Sequence, residues 1–154
     1  MLRERSEFTK GREVLKSYEK SLKVYDKELK RNPNFLALWI SKGDLLKKTG
    51  SLEDAMECYD KTLDIDRKYI LGWARKGDIL AELGRGREAI KCYDRALYFN
   101  PYQVNVWINK GETLSEMGML TDALKCYDNV LRMDPEHARV LDAKGSIMRS
   151  IEPQ

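Results

Sequence analysis

From Trp39 onward, residues of one kind return at steps of four, three and four: Trp39, Gly43, Leu46, Gly50. The same steps recur as Trp73, Gly77, Leu80, Gly84 and as Trp107, Gly111, Leu114, Gly118. Such intervals revisit one side of a 3.6-residue turn, so each run predicts an amphipathic helix, here called A. A second run follows each of the first, as Ala55, Tyr59, Thr62 and Leu63, then Ala89, Tyr93, Ala96 and Leu97, then Ala123, Tyr127, Val130 and Leu131. It predicts a second helix, B. Gly50, lying just past the last periodic residue of A, reads as a left-handed C-terminal cap, and Ser51 with Asp54 resembles a capping box opening the next helix. Pro101 and Pro135 close two of the B helices, since proline lacks the N–H and clashes with the preceding turn.

The helix pairs are copies of one unit. Trp39, Trp73 and Trp107 stand 34 residues apart, as do Cys58, Cys92 and Cys126 and the tyrosines Tyr59, Tyr93 and Tyr127 that follow them. A fixed long period is the mark of stacked supersecondary units. The blocks run 36–69, 70–103 and 104–137 without insertion. Gly43, Gly77 and Gly111 lie mid-helix, where glycine costs about 1 kcal/mol relative to alanine. The expectation is a close crossing of A and B, with Ala55, Ala89 and Ala123 on the facing helix and the tryptophans filling the wider space.

The order Trp, Gly, Leu, Gly, Ala, Tyr, small residue, Pro over 34 residues resembles the tetratricopeptide repeat. The resemblance implies an all-α, right-handed superhelical solenoid of antiparallel helix pairs, three full repeats plus flanking helices, with partners bound in a concave groove lined mainly by A helices. Arg67 in the place of proline, and Gly86 where the other copies have Leu52 and Leu120, depart from the pattern. Residues 1–35 read as an N-terminal segment carrying a degenerate half-repeat: Tyr25 is in register with Tyr59, so 12–32 resembles a lone B helix. Residues 138–154 read as a final A helix and tail, because Leu141, Gly145 and Met148 match Trp107, Gly111 and Leu114.

Composition narrows the class further. With 42% hydrophobic and 34% charged residues, 154 residues can bury a core and stay dissolved. No apolar run approaches a membrane span and the first ten residues are polar, so a cytoplasmic address is expected. Equal spacing of an odd number of cysteines fits buried free thiols better than a disulfide framework, and equivalent positions on stacked helices lie about 8–10 Å apart, too far for a shared zinc. No metal or cofactor is expected. The formal net charge of +3 is too small by itself to name a nucleic-acid partner. His137 is the one histidine, and no nucleophile–base spacing or phosphate loop accompanies it, so a non-catalytic protein is expected.

Function is therefore sought on the A-helix side away from the Trp/Gly/Leu face. Carried over position by position, the resemblance implies groove residues Ile40, Asp44 and Lys48 in the first repeat. It implies Leu71, Arg75, Asp78 and Glu82 in the second, and Asn105, Ile108, Asn109, Glu112 and Glu116 in the third. Asp44, Asp78 and Glu112 form a row of acids at one register, extended by Glu82 and Glu116, with Ile40, Leu71 and Ile108 as apolar footholds. Such a groove fits a protein or peptide partner with Lys or Arg beside apolar anchors, not a small molecule or membrane. It also differs from the family's carboxylate clamp, which looks for Lys and Asn where this chain has Ile40 and Asp44. The plainer alternative is a solvated face with ordinary pairs such as Asp44–Lys48.

Two further features stay open. Lys42, Lys76 and Lys110 follow the tryptophans by three; their stems can cover the indole edge while the ammonium stays in water, or they can form a basic ladder for phosphate or RNA. The end helices, with Tyr18, Leu22 and Tyr25 at one and Ile147, Met148 and Ile151 at the other, offer faces on which copies of the chain could stack into a homo-oligomer.

Overall fold

The computed structural model describes the backbone of residues 2–151 and the side chains of residues 11–151. Every regular element among them is an α-helix, and the chain divides into two compact units. The first, ending at Arg67, holds α1 (Leu2–Arg31), α2 (Leu36–Lys48) and α3 (Leu52–Ile65). The second, beginning at Lys68, holds α4 (Ile70–Glu82), α5 (Gly86–Phe99), α6 (Val104–Glu116), α7 (Leu120–Met133) and α8 (Ala138–Ile151). Thus α2, α4 and α6 are A helices, and α3, α5 and α7 are B helices. Each A helix packs most extensively on the B helix that follows it.

The turns follow from glycine. Gly50, Gly84 and Gly118 have φ of +82°, +73° and +75°, the left-handed region that side chains disfavour. There the chain reverses through one pattern, in which the N–H after the glycine donates back to the third-last helical carbonyl: Ser51 to Leu46 (3.0 Å), Arg85 to Leu80 (2.8 Å) and Met119 to Leu114 (2.8 Å). The expected capping box is absent, for Ser51 occupies the N-cap without a side-chain bond. The opposite turns are held by tryptophan. The indole N–H of Trp39 donates to the Pro33 carbonyl (2.7 Å) and that of Trp107 to Pro101 (2.8 Å).

Inside each pair the tyrosine is the central side chain. Tyr59, Tyr93 and Tyr127 are at most 2% exposed. They explain the mid-helix glycines and correct the expected reason for them. A Cβ on Gly43 would lie 2.5 Å from Tyr59 Cε1, on Gly77 2.5 Å from Tyr93 Cε1, and on Gly111 2.6 Å from Tyr127 Cε1. The aromatic ring, not the facing alanine, claims the space. In the second unit the core continues beyond the pair: Ile108, Leu114, Ala123, Cys126, Tyr127 and Val130 form one cluster with Val140 and Ile147 of α8.

The leading helix differs from expectation. Instead of a lone helix over 12–32, α1 is a single 30-residue helix from Leu2. The sequence 9–20 contains Gly11 but no proline and no Gly at a helix end, so nothing there forces the reversal seen after Thr49, Leu83 and Met117.

Candidate functional site

Two side chains expected in the groove are not on it. Ile40 and Ile108 are 5% and 3% exposed, so they are core residues and not footholds. Ile108 joins the cluster containing Val140 and Ile147 of α8, so it faces the helices that follow α6. Leu71, at 38% exposure, is the one of the three expected footholds that lies on the surface.

The acids Asp44, Asp78 and Glu112 have work inside the fold. The Tyr59 hydroxyl donates to Asp44 Oδ1 (2.8 Å) and the Tyr93 hydroxyl to Asp78 Oδ1 (3.1 Å). Asp78 is a hub: its Oδ1 also accepts from Asn109 Nδ2 of α6 (2.8 Å), and Arg75 of its own helix pairs with Oδ2 at 3.5 Å. Burial, then the neighbouring Asp78 charge, raises the Tyr93 phenol well above its ordinary value, so it stays a donor. In the next repeat Tyr127 is likewise raised, first by burial and then by Glu112. Glu112 pairs with Arg139 of α8 at 2.5 Å. Sequence reasoning missed Arg139, although Leu71, Asn105 and Arg139 share one register of the 34-residue period.

These bonds join α4 to α6 and α6 to α8 along one face of the second unit. On it Arg75–Asp78 and Glu112–Arg139 neutralise each other in part, while Glu82 and Glu116, one turn further along their helices, are exposed. Asn105 and Leu71 are exposed at the other end of the same helices. In the first unit Lys48 is exposed and Asp44 half-buried.

Lysine–aspartate pairs join neighbouring helices inside each unit. Lys42 Nζ lies 2.7 Å from Asp26 and 5.5 Å from the centre of the Trp39 ring; Lys110 Nζ lies 2.6 Å from Asp94 and 5.4 Å from that of Trp107. Lys144 repeats the pairing with Asp128 at 2.5 Å. It is the ammonium that stands over the indole, held by a carboxylate of the preceding helix instead of standing free in water. Cys58, Cys92 and Cys126 are buried free thiols, and burial pushes the Cys58 thiol up to about 11. No helix among the described residues is long and apolar enough to cross a membrane.

Models of the tetratricopeptide repeat match residues 36–69, 72–103 and 104–137. The chain belongs to the tetratricopeptide repeat family. Members of it act as protein-interaction scaffolds, and that coarse role comes with membership. Comparison with curated protein sequences returned no match. Among solved structures, MamA is similar over 91% of this chain and 82% of its own, with TM-score 0.80 and 19% identity. The first repeat domain of Spaghetti (RPAP3), solved with the HSP90 peptide SRMEEVD, is similar over 75% of this chain and 92% of its own, with TM-score 0.72 and 20% identity. At such identities the likeness is one of fold.

Proposed function

We propose that this tetratricopeptide repeat chain is a non-catalytic adaptor whose α4–α6–α8 face receives a peptide or helix of a partner protein carrying Lys or Arg beside apolar side chains. The observation that carries the reading is the exposed pair Glu82 and Glu116, placed one period apart on successive A helices of the second unit. Leu71 supplies an exposed apolar contact on the same face. A basic segment meets complementary charge there, which favours encounter and selects against acidic partners. An acidic C-terminal tail is a poor fit: Asn109 is committed to Asp78, and Ile40 offers no cation.

The test uses Glu82 and Glu116, whose side chains are exposed, since Asp78 bonds Tyr93 and Asn109 and Glu112 pairs with Arg139. The unaltered chain and the Glu82→Lys/Glu116→Lys variant are used to capture partners, and the bound segment is mapped by protease protection. A basic, apolar segment retained by the first and lost by the second supports the reading. Retention of the same segment by both removes it.

A second reading is favoured by one observation: α8 leaves Leu141, Met148 and Ile151 exposed at 46%, 40% and 50%. Self-stacking through that face would appear as a mass that rises with concentration in sedimentation. Ile147, which sequence reasoning counted on this face, is buried.

A further inference from the structure

Outside the A-helix face, the second unit has an open pocket of about 470 Å³ bounded by Trp73 of α4 and by Lys91, Cys92, Asp94, Arg95 and Tyr98 of α5. Lys91, Arg95 and Tyr98 follow at steps of four and three, so they share one face of α5. The two cations are exposed, and Tyr98 is 78% exposed, its ring edge-on to Phe99 at 5.3 Å between centroids. Asp94 is the pocket's one carboxylate, and Lys110 holds it at 2.6 Å. The other acid three residues from Lys91 along the helix, Glu88, is held through both oxygens by Arg85 at 2.8 and 2.7 Å. The pocket therefore presents two cations and two aromatic rings with its own acid neutralised.

The repeat supplies an internal control on whether the fold requires this chemistry. One period earlier, the residues in register with Lys91, Arg95 and Tyr98 are Glu57, Lys61 and Asp64. The corresponding pocket of the first unit is lined by Asp26, Asp54 and Glu57 against Lys42 and Lys61. The same scaffold is thus built with an acidic pocket in one copy and a basic, aromatic one in the next. Packing does not select Lys91 and Tyr98.

We propose that the Trp73–Lys91–Arg95–Tyr98 pocket is a second docking site, on the opposite helix layer from the α4–α6–α8 face, for an acidic peptide segment of a partner protein bearing an apolar or aromatic side chain. Its carboxylates pair with Lys91 and Arg95, and its apolar side chain lies between the Trp73 and Tyr98 rings. The site takes the charge opposite to that favoured on the A-helix face, so a partner can be distinguished by sign.

The probe is an acidic hexapeptide with a central tryptophan among glutamates, titrated into the isotope-labelled full chain and followed by amide and indole NMR shifts. The comparison chain is Lys91→Glu/Tyr98→Asp, which installs the residues of the first repeat at exposed positions; helical circular dichroism verifies that it folds. The expected result is shifts concentrated at Trp73, Lys91, Arg95 and Tyr98, with affinity at least tenfold weaker in the variant. Shifts centred on α4, α6 and α8, equal affinity in the two chains, or absence of binding at millimolar peptide would overturn the proposal. So would stronger binding of a single-stranded oligonucleotide at the same residues.

Discussion

Lys110 Nζ sits 2.6 Å from Asp94 Oδ1 of the preceding helix and 5.4 Å from the centre of the Trp107 ring of its own. One lysine thus ties α5 to α6 and covers the indole whose N–H latches the turn between them through the Pro101 carbonyl. Lys42 and Asp26 do the same for α1 and α2. Tyr93 donates back to Asp78 of α4 while Asp94 after it holds Lys110 of α6, so this Tyr-Asp pair joins its repeat in both directions.

Asp94 is half exposed, and ion pairs of that kind are worth about 0.2–1 kcal/mol, with the lysine–indole contact adding about 0.5–1 kcal/mol. A double-mutant cycle of Lys110→Met and Asp94→Ala, read by urea unfolding, should give a coupling within the ion-pair range that shrinks in 1 M salt. Zero coupling at low salt would show the pair to be incidental.

The glycines give a prediction whose sign changes along the chain. Gly43→Ala gains helix propensity but drives a methyl into the Tyr59 ring, and overpacking of this sort costs about 1–3 kcal/mol. Gly145 holds the same register in α8, where the nearest atom to an added Cβ is Arg149 Nη1 at 3.4 Å, the end of a flexible side chain. Gly145→Ala should therefore stabilise the chain by up to about 1 kcal/mol. Thermal unfolding of the two variants checks both signs together; destabilisation by Gly145→Ala would mean that the tyrosine is not the reason for the glycine.

Asp78 should tolerate substitution less well than an exposed groove acid. Tyr93→Phe deletes one bond and costs about 0.5–1.5 kcal/mol, whereas Asp78→Ala leaves the buried Tyr93 hydroxyl without that acceptor and costs about 1–3 kcal/mol. Glu116→Ala, at an exposed site, should stay within about 0.5 kcal/mol of the unaltered chain. Urea midpoints order the three variants.

Stability should fall on the alkaline side. Burial raises the Cys58 thiol from 9.0 to about 11, and Cys126, Tyr93 and Tyr127 are also raised, mainly by burial. Each group holds its proton more tightly folded than unfolded, so its contribution is complete below the unfolded pKa and is lost as pH rises through the folded one. Urea midpoints should be level up to pH 8 and decline above pH 9, and Cys58→Ala should lessen the decline between pH 9 and 11. A midpoint that climbs with pH over this range would contradict the assignment.

Much of the fold was legible because its spacing is set by geometry that recurs: the left-handed Gly50, Gly84 and Gly118 and the core tyrosines stand one period apart. The site was less so. A helical wheel drawn for one helix says which residues leave its own partner, but not which meet the neighbouring pair, and so it put Ile40 and Ile108 outside. The bonds of the acid row had a signal in the text, since Asp44 and Tyr59, like Asp78 and Tyr93, keep a separation of 15 in each copy. Arg139 was concealed by variation at its register, where the chain has Leu71 and Asn105. Residues that recur in every copy build the repeat, while the exposed positions proposed to meet partners, Glu82, Glu116, Lys91 and Tyr98, are not shared by all copies.

The most direct measurement is calorimetric titration of an amphipathic peptide of alternating lysine and leucine into the unaltered chain and into Glu82→Lys/Glu116→Lys. The account predicts binding that weakens at least tenfold in the variant and that weakens with added salt in the unaltered chain. Equal affinity for both chains, at every salt concentration, would contradict it and leave the exposed acids of the A-helix face as solvated charge.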